Sequence, residues 1–276
     1  MLSPAEHQFV AHALQSKYVA ATVLLALLWT VESLAPMYVG RRRRLSHAGA
    51  NLGLAVINAF VAYGGAFGIL LVTEASRARG LGLVYQADLP SALRWVLAIL
   101  LFDVWQYWWH RFNHTVAFLW RFHSVHHSDA ELDATSAVRF HTLEITFSIL
   151  ARLVVLPLIG MTVPQLVIYE GLSLLIVMFH HSNIRLPQEV DRSLRWLVVT
   201  PWMHWVHHSD LRHETDSNYS SFLSVWDRIF RSFRLRERPQ EIRIGLSGRQ
   251  EKDWRTLGGM LLAPFRKPPP PVTSKD

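Results

Sequence analysis

A chain of 276 residues that is half hydrophobic, with a positive mean hydropathy, eleven Trp and fourteen Phe, is not composed like a soluble domain. Cysteine is absent, which excludes disulfides, thiolate metal sites and cysteine nucleophiles and leaves the redox compartment open. The formal net charge of +7 suits the cytoplasmic loops of a membrane protein, because the basic residues interleave with apolar runs, a pattern that excludes a nucleic-acid-reading face.

The chain begins with a segment, 1–17, in which Met1–Gln15 lacks the basic start and short apolar core of a cleavable signal. Tyr18–Val39 reads as a first membrane span, interrupted near its end by Glu32 and Pro36 and followed by the block Arg41–Arg44. Asn51–Thr73 reads as a second span, rich in the Gly and Ala that permit close helix packing. Ala92–Trp109 reads as a third and runs straight into His110. Ile145–Ile159 and Val163–Phe179, separated by Pro157, Gly160 and Pro164, are each a little shorter than the ~20 residues of a spanning helix. They read as a tight helical hairpin. The expected fold is all-α, an integral membrane helical bundle of four to five transmembrane helices with a cytosolic helical cap. The membrane-embedded domain is expected over 18–235, with an extension over 236–276. Ser221–Phe233 has helical spacing suited to a membrane surface. Thr256–Phe265 is expected to touch the bilayer or cap the domain. Pro268–Pro271 and the tail after them are expected to be disordered.

Four consecutive arginines place the Arg41–Arg44 loop in the cytoplasm and outweigh Arg77 and Arg79 in the next loop. Alternating crossings then return His110–His141, His180/His181 and His204–His208 to that same side.

Fifteen histidines carry the chemistry. His110 and His114 form H-x3-H, and His123/His126/His127 form H-x2-H-H. The second pattern recurs at His204/His207/His208, within the repeat HSVHHSD and HWVHHSD. Helical residues at i, i+3 and i+4 share a face, and imidazole is the commonest side-chain metal ligand. Eight such imidazoles exceed the four that satisfy one structural ion, so more than one metal is expected. Imidazole-only ligation suits Zn, Cu, Fe or Ni. Only one of the adjacent pair His180/His181 is expected to face the site, and His181 is the better placed. His141, in RFHTLE, is a ligand, a group that orients one, or a substrate contact. His7, His12 and His47 stand alone and are expected to bind nothing. Groups able to orient a ligand include Asp103, Asp129, Glu131, Asp133, Glu144, Asp210, Asp216 and Asn218; Asp103 could instead make a helix–helix polar contact. The HExxH motif is absent, which argues against a metalloprotease. A metal transporter would carry its ligands inside the spans, whereas these follow them. A catalytically inactive, metal-stabilised membrane protein would keep the same residues.

In their order, HRFNH (110–114), WRFHSVHHSD (120–129), RFHTLE (139–144), FHHSN (179–183), TPWMHWVHHS (200–209) and DSNYSSFLSVWDRIF (216–230) resemble the fatty acid hydroxylase superfamily, or sterol desaturase family, over roughly residues 95–235. The resemblance implies a cytosol-facing di-iron centre that uses O2 to hydroxylate, desaturate or otherwise oxidise C–H bonds of lipids. The ligand set it implies is His110, His114, His123, His126, His127, His181, His204, His207 and His208. His141 corresponds to the family's R-x-H-P-x-E histidine, with Thr142 in place of proline. The family's N-Y-G becomes Asn218-Tyr219-Ser220, and its W-D-x-x-F-G-T becomes Trp226-Asp227-Arg228-Ile229-Phe230-Arg231-Ser232. These glycine losses are expected to alter the C-terminal cap but not the ligands. No cytochrome-like, flavin-like or reductase segment is expected among these residues. A lipid from the bilayer would therefore be oxidised with electrons from a separate ferredoxin- or cytochrome-like donor and its reductase. Arg228, Arg231, Arg234, Arg236 and Arg238 could dock that donor or touch anionic head groups.

Overall fold

A computed structural model describes residues 2–39, 43–86, 88–246 and 254–266. It is all-helical among those residues, in keeping with the sequence. Helix α1 (Pro4–Leu34) starts at a capping box formed by Ser3 and Glu6, with Pro4 in its first turn. Helix α2 (Arg44–Ala78) is followed by the short α3 (Leu83–Gln86), and α4 (Ser91–Thr115) carries His110 and His114. Helix α5 (Ala117–His127) carries the first histidine triplet. Helices α6 (Thr142–Ile159) and α7 (Val163–His181) are joined by the expected tight turn but do not pack as a hairpin. The remaining elements are short: α8 (Gln188–Leu194), α9 (Pro201–His207), α10 (Arg212–Thr215), α11 (Val225–Ile229) and α12 (Leu257–Leu262).

Among the described residues, four helices are long and apolar enough to cross a membrane: α1, α2 extended through α3, α6 and α7. The expected third span, α4, is not among them, since Asp103, Gln106, Arg94 and its terminal histidines dilute its apolar content. It nevertheless runs the same way. Its start lies beside Glu6, Arg77 and Gln165 at the far end of the bundle, and its last turn delivers two histidines to the opposite end. Although joined by a tight turn, α6 and α7 pack mainly on α2 and α1 respectively. That turn needs Gly160, whose φ of +84° belongs to the left-handed region. Gly82 faces it so closely that a Cβ there would lie 2.3 Å from the Gly160 Cα.

The outward faces carry Val19, Val23 and Leu27 on α1, Phe60, Tyr63 and Phe67 on α2, and Leu150 and Val154 on α6, all exposed. Such faces suit hydrocarbon as solvent. Inside, Ala98 and Phe102 of α4 pack with Leu156, Leu166 and Tyr169.

Glu32 does not simply interrupt the first span. Its carboxylate is buried and accepts from the backbone N–H of Ala134 and of Asn183, each at 2.9 Å, and from Arg44 at 2.6 Å. Arg44 also lies 3.7 Å over the Trp29 ring. One carboxylate thus ties α1, α2, the Ala134–Val138 turn and the end of α7 at the histidine end, where an unpaired charge would be costly. Arg41 and Arg42 lie outside the described residues, as does Pro268–Pro271.

Ser221–Phe233 is not one helix: only Val225–Ile229 is helical. Two buried carboxylates bend its course. Asp103 accepts from Leu223 N and Trp226 Nε1, and Asp227 accepts from Tyr219 N and Ser220 N. Ser232, at the family's threonine position, donates to Asp227 and sits 2.7 Å from the Tyr107 hydroxyl. Arg231, where the resembled family has glycine, adopts a left-handed conformation with φ +59°. A non-glycine residue is strained there. Arg231→Gly is therefore expected to stabilise the protein by about 0.5–1 kcal/mol, after the extra freedom of glycine in the unfolded chain is set against the relieved strain. A rise in thermal unfolding midpoint in detergent is the readout, and no rise would contradict the strain. Ser220 replaces a family glycine without a positive φ. Thr256–Phe265 caps the domain: Met260 and Ala263 pack with Leu54 of α2 and Val125 of α5.

Candidate metal centre

Nine imidazoles meet at one end of the bundle. The ligand atoms of His110, His114, His123, His127 and His207 lie within 4.8 Å of one another, and those of His126, His181, His204 and His208 form a second such group. The nine are the residues singled out from sequence and resemblance. Each H-x2-H-H triplet divides two to one. His123 and His127, four apart, join the first group, while His126 turns to the second. In the other triplet His204 and His208 join the second group, and His207 turns to the first. Helix geometry supplies the reason: i and i+4 lie nearly in line, and i+3 points to the other side of that line. The two repeats thereby interlock, each lending one imidazole to the other's site.

Backbone carbonyls fix the rings. His110 Nδ1 donates to Tyr219 O at 2.7 Å, His207 Nδ1 to Ser217 O at 2.6 Å and His181 Nδ1 to Val177 O at 2.7 Å. His123 Nδ1 donates to Glu144 Oε1 at 2.7 Å. Such partners select the tautomer and leave Nε2 as a lone pair facing the centre. His110 and His207 therefore present two lone pairs to each other, their Nε2 atoms only 3.1 Å apart. Two acceptors at that distance repel unless a cation lies among them. In addition His114 Nδ1 and Nε2, His123 Nε2, His127 Nε2, and the Nδ1 atoms of His126, His204 and His208 are buried without a hydrogen-bond partner. Native proteins rarely leave so many buried polar atoms unmatched. The donor set fits metal ions.

Burial keeps these rings neutral. It pushes the imidazoles of His126, His127, His204 and His208 well below their usual range, with neighbouring imidazoles adding to the effect. Burial takes His207 down to about 3, against the opposing pull of the Ser217 carbonyl. Neutral imidazole is the ligating form.

The other sequence candidates divide. Glu144 orients His123. His180 is buried beside the second group, its ring centroid 3.9 Å from that of His204, but belongs to neither set. His141 caps α6 instead, accepting from Leu143 N, with its other nitrogen 3.2 Å from Leu261 O. Asp103 orients no histidine. Seven residues before His110 it shares that helix face, but two turns separate them by ~10 Å, and it accepts from Tyr169, Trp226 and Leu223. Asp210 pairs with Arg243 at 3.3 Å. Asn218 ties its own loop, donating to Met203 O and Arg234 O. Asp216 comes within 3.5 Å of His114 Nδ1, too long for a good hydrogen bond. Asp129 and Asp133 both turn to His47, at 2.9 and 3.2 Å, so the histidine that looked solitary is the centre of a buried polar cluster.

The arginine run also divides. Arg228 turns inward between Trp196 and Phe233 and donates to Arg195 O. Arg236 and Arg238 pair with Glu214 and Glu241, while Arg231 and Arg234 are exposed.

The comparisons agree with the geometry. Residues 95–232, half of the chain, match the fatty acid hydroxylase family. The chain is 30% identical over 163 residues to an ornithine lipid hydroxylase of Rhizobium tropici, covering 59% of this chain and 48% of that protein. It is 30% identical over 151 residues to an alkylglycerol monooxygenase of Xenopus tropicalis, covering 53% and 32%. It is also 30% identical over 155 residues to a cholesterol 25-hydroxylase-like protein of Danio rerio, covering 53% and 59%. The chain thus spans about half of the first relative's length and about a third of the second's. No solved structure matches.

Proposed function

The chain belongs to the fatty acid hydroxylase family, and from that premise we propose that it is a membrane oxidoreductase that uses O2 to oxidise a C–H bond of a lipid at a centre of two iron ions. His110, His114, His123, His127 and His207 would hold one ion, and His126, His181, His204 and His208 the other. The observation that carries this reading is the pair of opposed Nε2 lone pairs on His110 and His207, each fixed from behind by a carbonyl. Bound iron supplies the activation of O2 that no side chain supplies.

The protein's own residues do the rest. Eight of the nine imidazoles are buried, which excludes water; only His110 keeps partial exposure. The exposed apolar faces of the long helices keep the protein within reach of lipid. The arginines at the start of α2 favour the cytoplasmic side for the histidine end. Hydroxylation is favoured over desaturation because the relatives named above are called hydroxylases or a monooxygenase. Electrons come from a separate ferredoxin- or cytochrome-like donor. Mass spectrometry of lipids from cells with and without the gene tests the reading. A lipid gaining one oxygen is expected, a lipid losing a pair of hydrogens would indicate desaturation, and an unchanged profile would contradict both.

Glu144 gives a sharper check. Glu144→Ala removes the acceptor behind His123 Nδ1, and metal affinity is expected to fall by about 10–100-fold. Competition with a graded chelator measures it; an unchanged affinity would show that His123 needs no orienting partner.

A further inference from the structure

Trp120 occupies a position that metal ligation does not require. It lies on α5, half-buried, one turn before His123 and two turns before His127. Its ring centroid is 5.1 Å from that of His114, 5.3 Å from His127 and 6.2 Å from His123. One indole thus touches three imidazoles of the first group. The Arg212 guanidinium lies over the same ring, 4.9 Å from its centroid. Arg212 is 42% exposed and clamps the site's edge, donating to Asp216 and to His114 O. The aromatic ring therefore spans from solvent-facing surface to ligands buried to 1–2%.

The surroundings have the anatomy of a small transient interface, with apolar centre and charged rim. Val116, one turn before Trp120, is 43% exposed, and Leu211, next to Arg212, is 37% exposed. Arg236 pairs with Glu214 on the same short α10 that starts at Arg212, and Arg111 lies over Tyr219, whose ring in turn is 5.2 Å from His114. Three arginines stand against two carboxylates on a chain of net charge +7.

We infer that Trp120, capped by Arg212, is where single electrons enter the metal centre, and that the basic surface around it docks an acidic one-electron carrier. At each encounter the carrier would be oxidised by one electron, which iron held by the nine histidines would take up; no bond is made or broken in that step. The indole shortens the gap between carrier and ligands, and charge steers the encounter. The inference rests on the proposed iron centre but is separable from it.

The test uses purified full-length protein loaded with iron and, as probe, a plant-type [2Fe–2S] ferredoxin. Stopped-flow spectroscopy compares reduction of the centre by reduced ferredoxin with reduction by dithionite. Trp120→Leu is expected to slow the ferredoxin reaction by about tenfold or more while leaving the dithionite rate and iron content unchanged. Leu211→Asp adds a negative charge at the N-cap of α10, where aspartate is well tolerated. It is expected to weaken the Kd for oxidised ferredoxin, measured without turnover, by about tenfold. An unaltered ferredoxin-driven rate in Trp120→Leu would overturn the proposal. Should that variant lose iron, Leu211→Asp decides: a weakened Kd supports the docking surface, and an unchanged Kd overturns it. A wild-type protein that holds no iron would instead overturn the proposed function.

Discussion

His126→Ala is expected to lower the iron content from about two ions per chain to about one and to abolish lipid oxidation. The second group has only four imidazoles, and His126 is the single member drawn from α5. Its Nε2 faces His181 Nε2 at 3.1 Å, and its ring lies nearly parallel to Phe140, with centroids 4.5 Å apart. That stacking holds the imidazole in place whether or not metal is bound. Loss of the ring leaves His181, His204 and His208 and opens a cavity that alanine cannot fill. The first group retains all five of its members, so one ion should persist. His12→Ala is the control. His12 is exposed near the start of α1, at the far end of the bundle, and both iron and activity should be retained. Metal analysis and turnover on the two variants separate the outcomes. Two ions in His126→Ala would show that the second group is not a site.

Asp227→Ala is expected to unsettle both the fold and the centre. The buried Asp227 carboxylate accepts from Tyr219 N at 2.7 Å, Ser220 N at 3.1 Å and Ser232 Oγ at 2.7 Å. Without it two buried backbone donors lose their acceptor, at a cost of about 2 kcal/mol or more, and the half-buried Ser232 hydroxyl keeps only Tyr107. The same loop presents Tyr219 O to His110 and Ser217 O to His207, the two rings whose lone pairs oppose each other. Metal affinity should therefore fall by about 10–100-fold along with stability. Asp227→Asn, which keeps an acceptor oxygen, should recover part of both. If alanine lowered stability and left metal affinity intact, the loop would support the fold without orienting the histidines. Asp227 touches neither metal nor substrate in this account; it positions the groups that do.

The histidine end was legible because its information is local. Helical spacing puts His110 with His114 and groups each triplet, but it places each triplet on one face and does not announce that His126 and His207 change sides, which needs the two helices laid against each other. The turn between α6 and α7 was legible from Pro157, Gly160 and Pro164, but their packing on α2 and α1 rather than on each other was not. What sequence could not supply was contact between distant segments. His47 looked solitary because Asp129 and Asp133 reach it only once α2 is laid beside the Ala134–Val138 turn. The carbonyls of Ser217, Tyr219 and Val177 orient ligands, but every residue has a carbonyl, so no residue type announces them. Asp103 misled for the opposite reason. Sharing a helix face with His110 is a statement about angle, and the axial distance between them decides contact. Arg231 shows how a residue type can hide a turn: an arginine announces none, yet the chain passes through a positive φ there, between Asp227 and Ser232, which hydrogen-bond to each other.

The central claim is a centre of two iron ions, and metal analysis of the purified full-length protein tests it most directly. The opposed imidazoles of two interlocked groups predict about two irons per chain, displaced together from the wild-type protein by a strong chelator. One ion per chain, or none that survives purification under conditions that preserve the fold, would contradict it.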